Sequence, residues 1–168
     1  TAELLHMIAG RKGIGDTLAR GIIHAAKEWG MEDMAVHVKG LEPPGYDPRV
    51  LKGCALAYAV SDRGACHLRA TFHNPELTGE ISPETVEGKA ALFIDYENRL
   101  LLFDTLILCR FYRDIYPWDT LSHLIRMTTG LDEKREVLEK RASDISDLVR
   151  LFNIREGLKP EDDKLPKY

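Results

Sequence analysis

The sequence predicts an all-α, multihelical fold. Apolar residues recur at spacings of three and four in segment after segment. Asp47-Pro48 and Ser82-Pro83 look like helix starts, and Gly30 and Gly130 stand where apolar runs stop. With 44% apolar and 30% charged residues, the 168-residue chain has the composition of a globular protein. It can build one good core, or two small helical lobes, about 1–80 and 81–168, that share one.

In order, Ala2 to Ile8 reads as helix, and the glycine-rich turn Gly10–Gly15 reads as a helix–helix connection. That turn lacks a P-loop pattern and follows no strand. Asp16 is placed to cap a helix that buries Leu18, Ile22, Ala25, Ala26 and Trp29 and ends at Gly30. A short extended piece, Ala35 to Val38, follows. Leu41-Glu42-Pro43-Pro44-Gly45-Tyr46 must be a loop, because two prolines remove donors and fix φ. Asp47-Pro48 then opens a helix with Leu51, Cys54, Ala55, Tyr58 and Ala59 on one stripe. Thr71 to Ile81 reads as a long loop. Ser82-Pro83-Glu84 starts a helix to about Phe103, burying Val86, Ala90, Phe93, Ile94, Leu100 and Leu101. Helices over Asp119–Thr129 and from Asp132 to about Asn153 complete the set, and the tail from Glu156 is expected to be loose.

A formal charge of −4 with scattered basic residues argues against nucleic-acid binding. No apolar run approaches the roughly 20 residues of a membrane-spanning helix. No basic-then-apolar leader begins the chain, so a cytoplasmic protein is expected. Three widely spaced cysteines, Cys54, Cys66 and Cys109, make no disulfide framework and no CxxC. A [4Fe–4S] cluster takes four thiolates, so any cluster ligand here needs partners from elsewhere. The start at Thr1 and the polar stretch ending at Tyr168 read as the edges of a segment from a longer protein.

Two segments could carry chemistry. In Phe103–Arg110, Asp104 and Cys109 sit five apart in a very apolar run. An ionised carboxylate there needs donors from a helix, an arginine or a ligand. Asp104 as a helix-start cap and Cys109 as a small core residue is the competing account. In Asp62–Arg69, Arg63 and Arg69 bracket Gly64 and Ala65, a setting that suits an anion gripped bidentately, with His67 titrating near neutrality. A helix C-terminus, with Gly64 as its cap and Arg63 complementing the dipole, serves equally well. His6, His24, His37, His73 and His123 read as surface or core residues.

Taken in order, five stretches resemble the aldehyde ferredoxin oxidoreductase family. These are Gly15–Gly21 (GDTLARG), Lys39–Glu42 with Tyr46–Arg49 (KGLE, YDPR), and Leu56–Ala59 leading into Arg63–Leu68 (LAYA, RGACHL). The last two are Asp104–Cys109, similar to DxLGLC, and Leu151–Gly157, similar to the RLFNxREG ending. The resemblance implies the C-terminal all-α domains of such an enzyme, without its N-terminal pterin-binding domain. It implies tungsten or molybdenum on two pterins beside one [4Fe–4S] cluster, both needing that N-terminal part. By motif, Cys109 is implied as the fourth cluster ligand, and Asp104 and the Leu108 backbone as pterin contacts. Arg63, Gly64, Arg69 and Arg110 are implied as further cofactor contacts, and His67 as the proton-transfer residue. The implied partners are ferredoxin, an aldehyde and the N-terminal part of the same protein, with a homo-oligomer allowed. One position departs from the pattern. Ile107 stands where the motif has glycine. Two further readings stay open: an aromatic acyl-CoA reductase subunit of the same family, and a helical binding domain without cofactor.

Overall fold

The all-α expectation holds in the computed structural model, which describes residues 1–167. Among these it has eight α-helices and no strand, only an isolated antiparallel bridge between Val38 and Leu41. Helix α1 (Ala2–Ala9) turns through the glycine-rich connection into α2 (Ile14–Ala19). The single helix expected from Asp16 to Gly30 is in fact two, because Gly21 (φ 89°) breaks the chain before α3 (Ile22–Trp29). Asp16 is no cap. Gly13 precedes α2, and the Asp16 carboxylate instead takes Arg20 at 2.5 Å and Arg11 at 3.5 Å. Gly30 closes α3 in the left-handed region, as its position suggested.

Asp47-Pro48 opens one turn rather than a helix. Asp47 Oδ1 accepts the Arg49 N–H (2.9 Å), and the chain then leaves helical geometry at Leu51 (φ −95°, ψ 83°). Helix α4 (Lys52–Val60) starts four residues later than expected and buries Gly53, Cys54, Ala57 and Tyr58. Within the expected Thr71–Ile81 loop lies a short α5 (His73–Leu77).

Ser82-Pro83 does not begin the next helix either. Its carbonyls accept the Lys89 ammonium (3.2 and 2.8 Å), which also meets Glu76 at 2.6 Å. That buried cation fixes the turn, so α6 (Lys89–Thr105) begins only after Gly88 (φ 71°). Val86, Ala90 and Ile94 are exposed as a result, contrary to expectation, while Phe93, Leu100, Leu102 and Phe103 point inward. Helices α7 (Trp118–Thr129), closed by left-handed Gly130, and α8 (Arg135–Arg155) follow close to their expected bounds.

Helix α6 is the axle. Its N-terminal half packs Phe93 against Ala57, Ala70 and Phe72, with Phe72 and Phe93 edge to face at 5.4 Å. Its C-terminal half packs Leu100 and Phe103 against Leu121, and Leu102 against Trp118, Ile125, Leu138 and Ala142. Asp95 pins that side by accepting from Trp118 Nε1 and Arg135, each at 2.8 Å. The tail is anchored rather than loose. Asp163 binds Lys39 at 2.7 Å and Arg150 at 2.5 Å, and Lys39 also donates to the carbonyls of Ala59 and Ser61 (2.6 and 2.9 Å). Tyr168 lies outside the described residues.

Candidate functional site

The end of α6 is built as a Schellman turn. Leu108 N–H donates to Phe103 O (2.8 Å) and Ile107 N–H to Asp104 O (3.2 Å), which leaves Ile107 in the left-handed region at φ 58°. Leu108 folds back onto the cluster of Leu100, Phe103 and Leu121, the apolar contact such turns use. Its N–H is spent on Phe103, so only its carbonyl remains for a ligand. Ile107 is the position where the motif has glycine, and the reason is geometric: a β-branched residue meets its own backbone at positive φ. Ile107 accepts that strain with a side chain 92% exposed.

Cys109 follows the turn and is exposed, so the plain core role open to it from sequence is excluded. Asp104 likewise caps no helix start. It lies in the last turn of α6, where its carboxylate is unfavourable to the dipole unless cations meet it. Two do. Arg69 Nη1 donates to Oδ2 (2.7 Å) and Arg110 Nε to Oδ1 (2.9 Å), with Arg110 Nη2 closing a second bond to Oδ2. Arg110, the residue after Cys109, also donates to the Arg69 carbonyl (3.3 Å) and is largely buried.

Arg69 is held from its other side by a residue that sequence reasoning missed. Asp62 takes Arg69 Nε at 2.8 Å and Nη2 at 2.7 Å, a bidentate pair, and its backbone carbonyl accepts Asn153 Nδ2 of α8 (2.7 Å). The partners stand 7, 35 and 91 residues apart along the chain, so no motif could show them together. On the α8 side of this network lies a cavity of about 250 Å³ bounded by Asp62, Arg69, Glu97, Arg110 and Arg150. Burial and the neighbouring Asp62 push the Glu97 carboxyl above the ordinary glutamate range, against the pull of Arg69.

Arg63 and Gly64 do not join the network. Arg63 Nη2 donates to Cys66 Sγ (2.9 Å). Gly64 (φ 99°) is not the cap of α4, a place taken by Ser61. It lies so close to the Lys39-Gly40 turn that a Cβ would fall 2.1 Å from Val38 O, so it serves packing between two loops. His67 is half-buried beside Tyr46 (ring centroids 5.5 Å) and His73 (6.0 Å), and His73 stacks on Tyr46 at 4.0 Å. Burial, and then the Arg63 charge, lower the His67 pKa below the usual imidazole value. Its free base therefore persists at neutral pH, ready to accept a proton.

Among the described residues, no three His, Cys, Asp or Glu side chains converge on a metal position. An exposed thiol just after a strained turn fits a cluster ligand that needs partners from outside the chain. Asp104 fits a ligand bearing N–H groups. Of roughly four lone-pair positions on a carboxylate, the arginines use three, leaving one on Oδ1.

The profile described as aldehyde ferredoxin oxidoreductase, domains 2 & 3, matches residues 1–168. The chain is 36% identical over 174 residues to the tungsten-containing aldehyde ferredoxin oxidoreductase of Pyrococcus furiosus, covering 98% of this chain and 29% of that protein. Proteins with the same description from Thermococcus kodakarensis and Pyrococcus abyssi are 34% and 33% identical, over 98% and 97% of the chain and 29% and 28% of their own lengths. The chain thus spans less than a third of the curated relatives it matches, and no helix among the described residues is long and apolar enough to cross a membrane. With five motifs in order and a match from end to end, the chain belongs to the aldehyde ferredoxin oxidoreductase family.

Proposed function

We propose that this chain is the C-terminal helical part of a tungsten–pterin, iron–sulfur oxidoreductase that converts aldehydes to carboxylic acids with ferredoxin as acceptor. The exposed Cys109, set beside the Asp104–Arg69–Arg110 cluster in a chain of this family, is the observation that supports it. When bound, the metal–pterin group and the cluster would supply the two-electron oxidation and its one-electron exits.

The chain's own residues orient, neutralise and accept protons. Cys109 supplies the fourth thiolate of the cluster, the other three coming from the N-terminal part of the same protein. Asp104 offers its remaining Oδ1 position to a pterin N–H, and Arg69 and Arg110 balance its charge. Arg63 adds a further cation beside His67. Oxidation of an aldehyde with water releases protons as well as electrons, and His67, largely neutral at pH 7, takes one. The exposed apolar side chains flanking Cys109, Ile107 and Phe111, are covered by the N-terminal part.

The test uses the full-length protein. Metal analysis finds tungsten and iron, and an aldehyde panel with a viologen acceptor shows turnover. A full-length protein without tungsten or iron overturns the proposal. Turnover with aromatic acyl-CoA and none with aldehydes overturns the substrate and keeps the cofactors.

A further inference from the structure

Asp62 belongs to none of the motif residues, yet it decides how Arg69 is presented. A guanidinium carries five N–H donors in one plane. Asp62 takes the Nε and one Nη2 proton in a bidentate pair, and Asp104 takes one Nη1 proton. Two N–H groups are left, one on each terminal nitrogen, and the plane that aims them is the plane Asp62 fixes. The side chains of Asp62 and Arg69 are about four-fifths buried, so this pairing is little screened by water.

The same residue sets the local charge. Asp62 and Asp104 carry two negative charges, Arg69 and Arg110 two positive, and Arg110 directly follows Cys109. Glu97 adjoins Asp62 and Arg69, and burial together with the Asp62 charge raises its pKa above the ordinary glutamate range. Asp62 is therefore the carboxylate that brings the four-residue network to neutrality. It also accepts a bond from α8, through Asn153.

We infer that Asp62 is a positioning residue for the cofactor-facing end of this chain: it fixes the Arg69 guanidinium and cancels the positive charge next to Cys109. The inference rests on Cys109 being a cluster ligand. Acting through Arg69, Asp62 touches neither cluster nor substrate.

The experiment is a dye-mediated redox titration of the full-length enzyme, read by the electron paramagnetic resonance of the reduced cluster, with iron content measured alongside. Asp62→Asn removes a negative charge and keeps the shape. Uncompensated positive charge favours the reduced cluster, so its potential shifts upward. Asp62→Glu keeps the charge and stays near wild type. Arg69→Gln removes the opposite charge and shifts the potential downward, which keeps the inference testable should Asp62→Asn fail to fold. A purely structural role would cost stability or iron and leave the potential of the loaded fraction unmoved. An Asp62→Asn protein with full iron and the wild-type potential overturns the inference. So does Arg69→Gln with no downward shift. Absence of iron from the wild-type full-length protein would instead overturn the assignment of Cys109 on which the inference depends.

Discussion

Replacing Ile107 with glycine should stabilise the chain, although it deletes a large apolar side chain. Ile107 occupies the C′ position of the α6 Schellman turn at φ 58°. Left-handed geometry costs an L-residue roughly 1–2 kcal/mol, with β-branched side chains at the upper end. Glycine adopts it without that cost. Against the gain stands the greater unfolded-state freedom of glycine, about 0.5–1 kcal/mol. Burial contributes almost nothing on either side, because the side chain is 92% exposed. The balance favours Ile107→Gly by about 1 kcal/mol, and for a chain of this size that raises Tm by roughly 2–4 °C. Thermal unfolding followed by circular dichroism at 222 nm measures it. Ile115→Gly is the control: also exposed, but not at positive φ, it should lower Tm. A neutral or lower Tm for Ile107→Gly would refute the strained turn.

Other perturbations follow from the same contacts. Glu76 is completely buried between Lys89 and the Gly53 N–H (2.6 and 2.7 Å), so Glu76→Ala should cost roughly 3–5 kcal/mol in urea unfolding by stranding the ammonium. A Glu76→Met/Lys89→Met pair that lost as much would argue against that cause. Burial, then His67 and Arg113, lower the His73 pKa from 6.5 to about 4. The unfolded chain therefore binds a proton near pH 6.5 that the folded chain refuses until about pH 4. Stability is complete above pH 6.5 and falls by roughly 3 kcal/mol as pH drops through that window. His73→Phe should flatten this part of the pH–stability curve, and an unchanged slope would assign the loss to other groups. Burial also pushes the Cys54 thiol up to about 11, while Cys109 is exposed, so a thiol reagent should modify Cys109 well before Cys54 in the reduced chain. Mass spectrometry of the labelled peptides would show the reverse order if Cys109 were packed.

The helical class, and both ends of α7, were legible in the sequence because period and cap agree there: Trp118–Thr129 is followed by a left-handed Gly130. Where the sequence misled, a tertiary contact overrode a local signal. Ser82-Pro83 has the form of a helix start, but its carbonyls are recruited by Lys89. Phe72–Leu77 holds a proline and shows no period, yet packing of Phe72 against Phe93 supports a short helix there. The tail gave no sign that Asp163 would meet Lys39 across the fold. The site divides the same way. Asp104, Cys109 and Arg110 share one short motif, whereas Asp62 acts only through partners far away in sequence.

Iron analysis of full-length Cys109→Ser tests the central assignment most directly. The account predicts about four irons per chain in wild type, retained in a Cys54→Ala control. In Cys109→Ser the iron should fall, or the reduced-cluster resonance change with the new ligand. A Cys109→Ser protein with full iron and an unaltered spectrum would contradict the account.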